Sequence, residues 1–459
     1  MKITFIFPRF KYESGDPPLG IAYLASYVRK FSDASIDILD TTFDHSFNSI
    51  HDYLSQNKPD IVGIYLDTIM YNDALRIIQD VKKQGIFVVA GGPHATILPE
   101  SLIQSVDIVI RGEAEKPFLK IISHFHLKRF ENINNTWYKN GNKVIKNRSK
   151  YEYTDLDGFP FPSRDLLYME KYIERCHQFD SLNPRLRATT TIVSRGCPFS
   201  CSFCQPTLKR MFGNNVRIRS PDNVITEIKE LKRRYNIDAV FFHDDTLTAN
   251  MTWMTKFCDQ LRKANLNIIL GCNTRADTIH NNLLKTMFDA GFRELHIGIE
   301  SASQRILDNI YKKGIRIDKV KPIIKTIRTM GFNTMCFFMI GAPTETKHEI
   351  KETIRFACSL PTNEISVSIT NPIPETDLYQ IMLNKHYHMS KNYDDFDYYS
   401  GKGFYSSHKK ELSYKELKKL QMLFLGRFYS NPKRWIYIWK HLSSRGGIKK
   451  MFIKLRRFV

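Results

Sequence analysis

Three cysteines lie close together near the middle of the chain, at Cys197, Cys201 and Cys204. Thiolates three and four positions apart on a short loop can converge on one metal centre. Structural zinc normally takes four ligands, and no fourth ligand lies nearby in the sequence. A [4Fe–4S] cluster held by three thiolates leaves one iron open to a substrate or cofactor. The spacing therefore favours an iron–sulfur cluster over structural zinc.

The remaining cysteines and the apolar runs indicate a protein of a reducing compartment that does not span a membrane. Five further cysteines are scattered, and we predict that they are small core residues: Cys176, Cys258, Cys272, Cys336 and Cys358. Eight cysteines in 459 residues are far too few for a disulfide scaffold. No apolar run is long enough to span a membrane, and MKITFIFPRF breaks at Pro8 without a signal-peptide cleavage site. We expect a cytoplasmic protein.

The cysteines follow the first of six predicted strands between about residues 186 and 385. The strand candidates are TTTIVSRG, AVFFHDD, NIILGCNTRAD, ELHIGIES, TMCFFMIGAP and EISVSITNPIP, with helical segments between them. Six strand–helix units predict a partial (β/α)6 barrel, in which the functional residues lie in the loops after the strands. The notable residues of those loops are Asp244, Asp245, Arg275, Glu300, Ser301, Gly341 and Pro343.

Residues 1–125 show a second series of alternating strands and helices. The runs ITFIFP, SIDILD, DIVGIYL, IFVVAGG and DIVIRG read as strands, and GIAYLASYVRKF, FNSIHDYLSQ, YNDALRIIQDVKKQG and PESLIQS read as helices. This order predicts a doubly wound, flavodoxin-like parallel sheet that binds ligands at the carboxyl ends of its strands. The fold class is therefore α/β.

Two segments do not show this alternation of strands and helices. Residues 126–185 read as a linker with a small hairpin, which turns at Asn140-Gly141. Residues 386–459 form a carboxyl-terminal extension that we predict to be helical, basic and aromatic. From Leu417 to Val459 the chain has 12 Lys or Arg and no Asp or Glu, so over half of the net charge of +21 lies there.

The cysteine spacing, with Phe203 before the last cysteine, resembles the signature of the radical S-adenosylmethionine (SAM) family. VRIRSPDNVITEIKEL, FFHDDTLTAN, ELHIGIESASQRILDNIYKKGI and FFMIGAPTET resemble the barrel of one large branch, whose chains usually begin with a cobalamin-binding domain. The resemblance covers roughly residues 1–385. It implies that the three cysteines hold a catalytic [4Fe–4S] cluster whose open iron binds SAM, which is then cleaved to methionine and a 5′-deoxyadenosyl radical.

The resemblance also suggests which residues receive SAM, whose ammonium and ribose call for carboxylates and hydroxyl acceptors. Asp244 and Asp245 after the second strand, or Glu300 with Ser301 after the fourth, can neutralise the ammonium or hold the ribose. Asp245 can instead cap the following helix.

Two further positions of the barrel have both a functional and a plain interpretation. Arg275 can face a carboxylate of the ligand or form an ordinary salt bridge. Gly341 and Pro343 resemble the tight backbone turn beside the ligand after the family's fifth strand, or they form a simple loop turn. His243 and His296 read as core histidines rather than catalysts.

Cobalamin is the third cofactor that the resemblance implies. Gly91 and Gly92 after the fourth strand, and Gly112 and Glu113 after the fifth, resemble the cobalamin domain of this branch, and Thr68 falls where that fold contacts the nucleotide tail. The signature Asp-x-His-x-x-Gly, whose His coordinates cobalt, is absent after the first strand. Many members of the branch also lack it. A domain that has lost cobalamin is the alternative.

The resemblance implies a cobalamin-dependent radical SAM enzyme that methylates a carbon, or otherwise modifies the carbon skeleton, of a small natural product, lipid or tetrapyrrole. Such an enzyme takes electrons from a reducing partner such as flavodoxin or ferredoxin. A radical SAM enzyme without cobalamin, such as a methylthiotransferase, is disfavoured because no cysteine precedes Cys176. A non-catalytic iron–sulfur redox or metal-binding module is the third hypothesis.

The basic extension allows several partners. It interleaves Trp, Tyr and Phe with Lys and Arg, which suits a solvated helical cap, contact with an anionic membrane surface, or nucleic acid. Its resemblance to the carboxyl-terminal helices of the branch argues against a nucleic-acid arm. We therefore expect a cytoplasmic protein, with a peripheral membrane location as the alternative.

Overall fold

The computed structural model describes residues 1–150, 152–204, 207–213, 216–387, 390, 392–396 and 412–442. The chain divides into two compact units, one of residues 1–172 with 206–218 and the other of residues 173–205 with 219–459. Among the helices in the described ranges, none combines the length and the apolar character needed to cross a membrane.

The first unit alternates strands and helices as predicted. Its strands are β1 (Lys2–Phe7), β2 (Ser35–Asp40), β3 (Ile61–Tyr65), β4 (Phe87–Gly91), β5 (Ile108–Ile110), β6 (Thr136–Asn140), β7 (Lys143–Lys146) and the short β10 (Arg217–Ile218). Its helices are α1 (Leu19–Phe31), α2 (Phe47–Asn57), α3 (Tyr71–Lys83), α4 (Pro93–Ile97), α5 (Glu115–His124) and α7 (Thr207–Phe212). The chain leaves this unit within α6 (Met169–Arg175).

Seven of these strands form one sheet in the order β2-β1-β3-β4-β5-β6-β7. The first five are parallel, and their order is that of the flavodoxin-like fold, with its switch point between β1 and β3. The predicted hairpin is β6–β7, and β6 pairs antiparallel with β5. The hairpin therefore extends the sheet. PESLIQS, predicted as a helix, forms only the 3-10 turn Pro99–Ser101.

The helices of this unit pack through apolar stripes. In α3, Ala74, Ile77, Ile78 and Val81 recur at helical spacing and are all buried, whereas the residues between them are polar except for Leu75. Buried residues of α1 and α5 pack with the apolar strands in a core cluster that includes Ile3, Phe5 and Phe118.

The second unit contains the other parallel sheet. Its strands are β8 (Ala188–Thr191), β9 (Ser194–Arg195), β11 (Ala239–Phe242), β12 (Ile269–Arg275), β13 (Phe292–Glu300), β14 (Asn333–Ile340) and β15 (Glu364–Ile369). Its helices are α8 (Pro221–Tyr235), α9 (Met251–Ala264), α10 (Asn281–Asp289), α11 (Ile317–Thr329), α12 (Lys347–Ser359), α13 (Asp377–Asn384), α14 (Tyr414–Tyr429) and α15 (Pro432–Leu442).

Six strands of this unit are parallel, in the order β8-β11-β12-β13-β14-β15. A helix follows each inner strand, so that the sheet is the predicted half barrel, and all its carboxyl ends lie at one edge. The predicted strand positions are correct for all six. The predicted helical extension is described only at α14 and α15; residues 397–411 and 443–459 lie outside the described part of the chain.

Aromatic packing joins the sheet to its helices. Phe242 of β11 lies 5.7 Å from Phe257 of α9 and 5.9 Å from Phe292 of β13, measured between ring centroids. All three are fully buried, so this layer holds the strands in place beneath the loops at their carboxyl ends.

Candidate active site

The three clustered cysteines lie on the loop after β8 and β9. Cys197, Cys201 and Cys204 are free thiols of intermediate exposure. The loop begins at Gly196, whose φ of 103° disfavours any side chain. Within the described residues, no three or more His, Cys, Asp or Glu side chains surround a single metal-binding point. The structure thus places three thiol donors on one short loop.

This loop is fixed between the second and third cysteines. The backbone N–H of Ser202 donates to the carbonyl of Tyr311 at 2.9 Å, and its own carbonyl accepts from the N–H of Leu378 at 2.9 Å. The hydroxyl of Ser202 donates to the carbonyl of Ile310. Phe203 packs edge-on against Tyr311, with ring centroids 5.1 Å apart. Ser202 and Phe203 therefore hold the loop while the cysteines remain accessible.

Arg275, at the end of β12, brings a cation to the cysteine loop. Its Nη1 donates to the Cys201 sulfur at 3.4 Å, and its guanidinium carbon lies 3.7 Å from the Phe199 ring centroid. The same guanidinium donates to the carboxylate of Asp277 at 2.9 and 2.8 Å and to the Lys313 carbonyl at 2.6 Å. Arg275 thus has an ordinary salt-bridge partner and also a thiol neighbour.

The two aspartates after β11 have different environments. Asp244 is buried and accepts hydrogen bonds from the N–H groups of Val193 and Ser194 at 3.2 and 2.5 Å. Asp245 is exposed, and its carboxylate has no hydrogen-bond partner among the described residues. Although the residue is open to solvent, desolvation of the carboxyl group and the Asp244 charge raise the pKa of Asp245 to about 7. Asp245 does not cap α9, since Asn250 does.

Glu300 ends β13 in an unusual backbone conformation. Its φ is 71°, and the register with β14 shifts between Gly298 and Glu300. The Glu300 carboxylate accepts from the ammonium of Lys313 at 2.8 Å, and both side chains are buried. A Cβ at Gly298 would lie 2.6 Å from the Glu300 carboxylate and 2.9 Å from that ammonium. A non-glycine residue that has a strained backbone and takes part in a buried ion pair is typical of a functional site.

Ser301 and Gly341 form hydrogen bonds within the protein. Ser301 is fully buried, and its hydroxyl accepts from the N–H of Ser303 at 3.1 Å and lies 3.4 Å from the Thr353 hydroxyl. Its oxygen is therefore already engaged within the protein. Gly341, with a φ of 81°, begins the turn that includes Pro343. The N–H of Gly341 donates to the buried carboxylate of Glu345 at 2.6 Å, which closes the turn.

In the first unit, the glycine pair at the end of β4 has one constrained and one open member. Gly92 has a φ of 109°, and a Cβ there would lie 2.7 Å from the Leu66 carbonyl. A Cβ at Gly91 would meet no atom within 4 Å. Gly92 is thus required by the backbone itself, whereas Gly91 leaves open space above the strand end.

Thr68 follows β3 and contacts a buried histidine. The Thr68 hydroxyl lies 3.2 Å from Nδ1 of His94, and Nε2 of His94 lies 3.0 Å from the Ser101 hydroxyl. Burial lowers the pKa of His94 to about 4, so that the ring is neutral near pH 7. Both ring nitrogens are engaged within the unit.

Gly112 and Glu113 follow β5. Gly112 has a φ of 79°, and its N–H donates to the Thr96 hydroxyl at 2.9 Å. That hydroxyl donates to the Gly92 carbonyl at 2.8 Å, so the loops after β4 and β5 are tied together. The Glu113 carboxylate forms a close ion pair with Arg217.

Comparison with known proteins identifies both units. The family descriptions "Radical SAM superfamily" and "B12 binding domain" match residues 191–357 and 11–122. The chain is 33% identical over 383 residues to an uncharacterised methyltransferase of Pyrococcus horikoshii, which covers 82% of this chain and 81% of that protein. The chain belongs to the radical SAM superfamily. It is an enzyme whose cofactors are a [4Fe–4S] cluster, SAM and cobalamin, which confirms the resemblance and the three cofactors predicted from it.

Two further comparisons agree with this assignment. The chain is 29% identical to the anaerobic magnesium-protoporphyrin IX monomethyl ester cyclase of Rubrivivax gelatinosus, over 84% of this chain and 70% of the cyclase. The radical SAM methyltransferase TsrM of Kitasatospora setae, solved with cobalamin and a [4Fe–4S] cluster, superimposes with a TM-score of 0.70 at 14% identity, over 84% of this chain and 75% of TsrM. The latter shows a common fold.

The radical SAM unit brings most of the predicted residues to one sheet edge. Arg275 donates to the Cys201 sulfur and to the Lys313 carbonyl, and the Lys313 ammonium donates to Glu300. Asp244 accepts from the N–H of Ser194, which precedes the cysteine loop along the chain. Lys313 was missed by the sequence analysis. The family-like stretch ending in YKKGI contains it, but nothing in the sequence distinguishes Lys313 from Lys312.

Proposed function

We propose that Cys197, Cys201 and Cys204 are the three protein ligands of the cluster. The donor set fits, because three soft thiols lie within eight residues and remain partly exposed. Two features of the loop support this assignment. Its backbone is fixed at Ser202, and the Arg275 guanidinium lies beside the sulfur of Cys201, where it can stabilise negative charge on a thiolate.

Asp245 and Glu300 are the residues that we propose for binding SAM. Asp245 carries an unpartnered carboxylate next to a second aspartate, and such a pair favours a bound cation like the ammonium of SAM. The buried carboxylate of Glu300 is held in position by the ammonium of Lys313. We propose that this carboxylate accepts a hydrogen bond from a ribose hydroxyl of SAM. Asp244 orients the strand-to-loop connection rather than contacting the ligand, because its oxygens already bind Val193 and Ser194.

In the B12-binding domain, Thr68, Gly91, Gly92, Gly112 and Glu113 are the proposed cobalamin-contacting residues. The open space at Gly91 supports this proposal, since backbone without a side chain allows a bulky ligand to approach. His94 is not the cobalt ligand in this proposal, because both of its ring nitrogens are engaged by Thr68 and Ser101. His94 would then stabilise the loops at this end of the sheet, with its ring between Thr68 and Ser101.

The proposed reaction is C-methylation, or a related carbon-skeleton modification, of a small natural product, lipid or tetrapyrrole. When bound, the cluster supplies an electron for the cleavage of SAM, and cobalamin supplies a methyl group. The protein residues hold SAM and the thiolates in fixed positions. A flavodoxin or ferredoxin is the proposed reducing partner. The names of the P. horikoshii methyltransferase and the R. gelatinosus cyclase support this class of reaction.

The observation that carries the proposal is a chain of hydrogen bonds. Arg275 donates to Cys201 of the cysteine loop and to the carbonyl of Lys313, whose ammonium donates to Glu300. To test it, the protein is reconstituted anaerobically with iron, sulfide and hydroxocobalamin and then reduced. 5′-Deoxyadenosine is measured by mass spectrometry, and bound cobalt by elemental analysis. We expect about one cobalt per chain and deoxyadenosine that depends on reductant.

Two cysteine variants make this test specific. Cys201→Ala should abolish deoxyadenosine formation, whereas Cys358→Ala, which removes a partly exposed thiol on α12, should leave it intact. Deoxyadenosine without bound cobalt would contradict the cobalamin proposal alone. A fully loaded cluster that forms no deoxyadenosine would contradict the proposed SAM site.

A further inference from the structure

Helix α15 (Pro432–Leu442) turns its apolar face outward. Trp435, Ile436, Trp439 and Leu442 are 57, 56, 71 and 40% exposed, and their spacing of one, four and seven residues places them on one side of the helix. A surface helix of a globular protein ordinarily buries such a stripe against the core. Here the stripe faces away from the unit to which the helix belongs. We call these four residues the apolar face.

The side of α15 that faces the protein is held by a buried cation. Arg434 is only 6% exposed. Its guanidinium donates to the carbonyls of Phe428 at 2.6 Å, of Cys358 at 3.1 Å and of Leu360 at 3.1 Å. The helix is therefore fixed in an orientation that presents the apolar face to the surroundings.

The stretch of sequence that includes α15 is basic. Lys433 on α15 and Arg427 on α14 are both exposed. No Asp or Glu occurs from Leu417 to Val459, against 12 Lys or Arg. A negatively charged partner that accepts two tryptophans is complementary to this helix, on which Lys433 is exposed.

We propose that α15 docks the protein on an anionic lipid bilayer. Tryptophan is favoured at the membrane–water interface, and a helix with a large apolar face and flanking Lys or Arg lies in the plane of that interface. The negative surface potential of anionic lipids attracts the basic residues. The inference is independent of the proposed chemistry, because α15 carries none of the proposed cofactor ligands.

The test is flotation of the full-length, cluster-loaded protein with phosphatidylcholine vesicles that do or do not contain phosphatidylglycerol. We expect binding to the anionic vesicles, weakened by salt, and a blue shift of the tryptophan fluorescence. The double variant Trp435→Ser/Trp439→Ser should abolish binding to the anionic vesicles. The matched control, Leu127→Ser/Tyr168→Ser, removes exposed apolar side chains (65 and 53% exposed) of the first unit and should bind normally. Lys433→Gln should weaken binding roughly fivefold.

Deoxyadenosine formation by each variant shows that it is folded, and it does not depend on vesicles. Wild-type protein that floats with neither vesicle would overturn the inference. Two other results would also overturn it, if the wild-type protein does not bind vesicles. One is concentration-dependent dimerisation that the double tryptophan variant abolishes, and the other is binding of single-stranded RNA that this variant abolishes. A protein that floats as expected but forms no deoxyadenosine would contradict the proposed function and leave the docking surface supported.

Discussion

The ammonium of Lys313 lies 2.8 Å from the Glu300 carboxylate, and both side chains are buried at the carboxyl end of β13. Lys313 also gives its backbone carbonyl to Arg275 and places its ammonium 5.8 Å from the centroid of the Phe203 ring. A single residue thereby connects the carboxylate proposed for SAM, the cation beside Cys201 and the aromatic residue of the cysteine motif.

Lys313→Met should leave Glu300 as an unpaired buried charge. Breaking a buried ion pair from one side costs about 3–5 kcal/mol, so we expect a large fall in thermal stability and loss of SAM cleavage. Adding Glu300→Gln removes the second charge and should recover much of the stability but not the cleavage. Lys312→Met is the control, because Lys312 is exposed and 3.9 Å from Asp377. Equal stability of Lys313→Met and Lys312→Met would contradict the prediction.

The turn after β14 should make stability depend on pH. Burial raises the pKa of Glu345 to about 8, from an ordinary value of 4.5 in the unfolded chain. Between these values the folded protein holds a proton that the unfolded chain has lost. The free energy of unfolding therefore falls as the pH rises from about 4.5 to about 8, and the contribution of Glu345 is most favourable at the acid end.

Glu345→Gln should remove this slope. The amide oxygen can still accept from Gly341 and Ala342, and the amide nitrogen replaces a carboxylate oxygen that has no partner. Thermal melts at about pH 6 and about pH 8 measure the difference. Glu349→Gln is the control: hydrogen bonds lower the pKa of Glu349 to about 2, so it is ionised throughout this range. An unchanged slope in Glu345→Gln would assign the pH dependence to other groups.

Much of the fold was predictable because the strands are continuous apolar runs and the helices have apolar stripes of helical spacing. The strand that carries Glu300 and the loop that carries Cys197 were both placed correctly. PESLIQS was wrong as a helix, since its residues form a single 3-10 turn in which Ser101 binds His94. Local propensity did not reveal that tertiary contact.

The connections within the site were less predictable. Lys313 lies 13 residues beyond Glu300, across a π-helical turn at Ile306–Ile310, and Lys312 beside it points elsewhere. Only the three-dimensional path of the chain distinguishes the two lysines. The pairing of β6 with β5 likewise depends on long-range register, whereas the turn at Asn140-Gly141 is local and could be read from the sequence.

The adjacent glycines of the B12-binding domain should separate folding from cofactor binding. Gly92→Ala places a Cβ 2.7 Å from the Leu66 carbonyl at a φ of 109°, so we expect it to destabilise the domain by about 1–3 kcal/mol. Gly91→Ala meets no protein atom within 4 Å and should leave the melting temperature unchanged. If cobalamin occupies that space, Gly91→Ala should nevertheless lose bound cobalt. Normal cobalt content in Gly91→Ala would remove Gly91 from the proposed site.

The guanidinium of Arg275 should tune the cluster without being needed to assemble it. It donates to the Cys201 sulfur and, at the same time, to Asp277 and the Lys313 carbonyl, a set of contacts that the single ammonium of a lysine cannot reproduce. We expect Arg275→Lys to bind normal iron, to shift the reduction potential of the cluster and to slow SAM cleavage by at least about tenfold, since a hydrogen bond to a charged group contributes about 1.5–3 kcal/mol.

Arg293→Lys is the matched control for that measurement. Arg293 lies on β13, stacks on Phe288 at 3.8 Å and donates to backbone carbonyls, but within the described part of the chain it forms no hydrogen bond with the cysteine loop. Both variants lose an arginine fork that contacts an aromatic ring, so a general packing defect would affect them alike. A shift in potential confined to Arg275→Lys, read from the electron paramagnetic resonance of the reduced protein at a series of potentials, would tie the effect to the hydrogen bond on Cys201. Identical potentials in both variants would mean that Arg275 orders the loop without acting on the cluster.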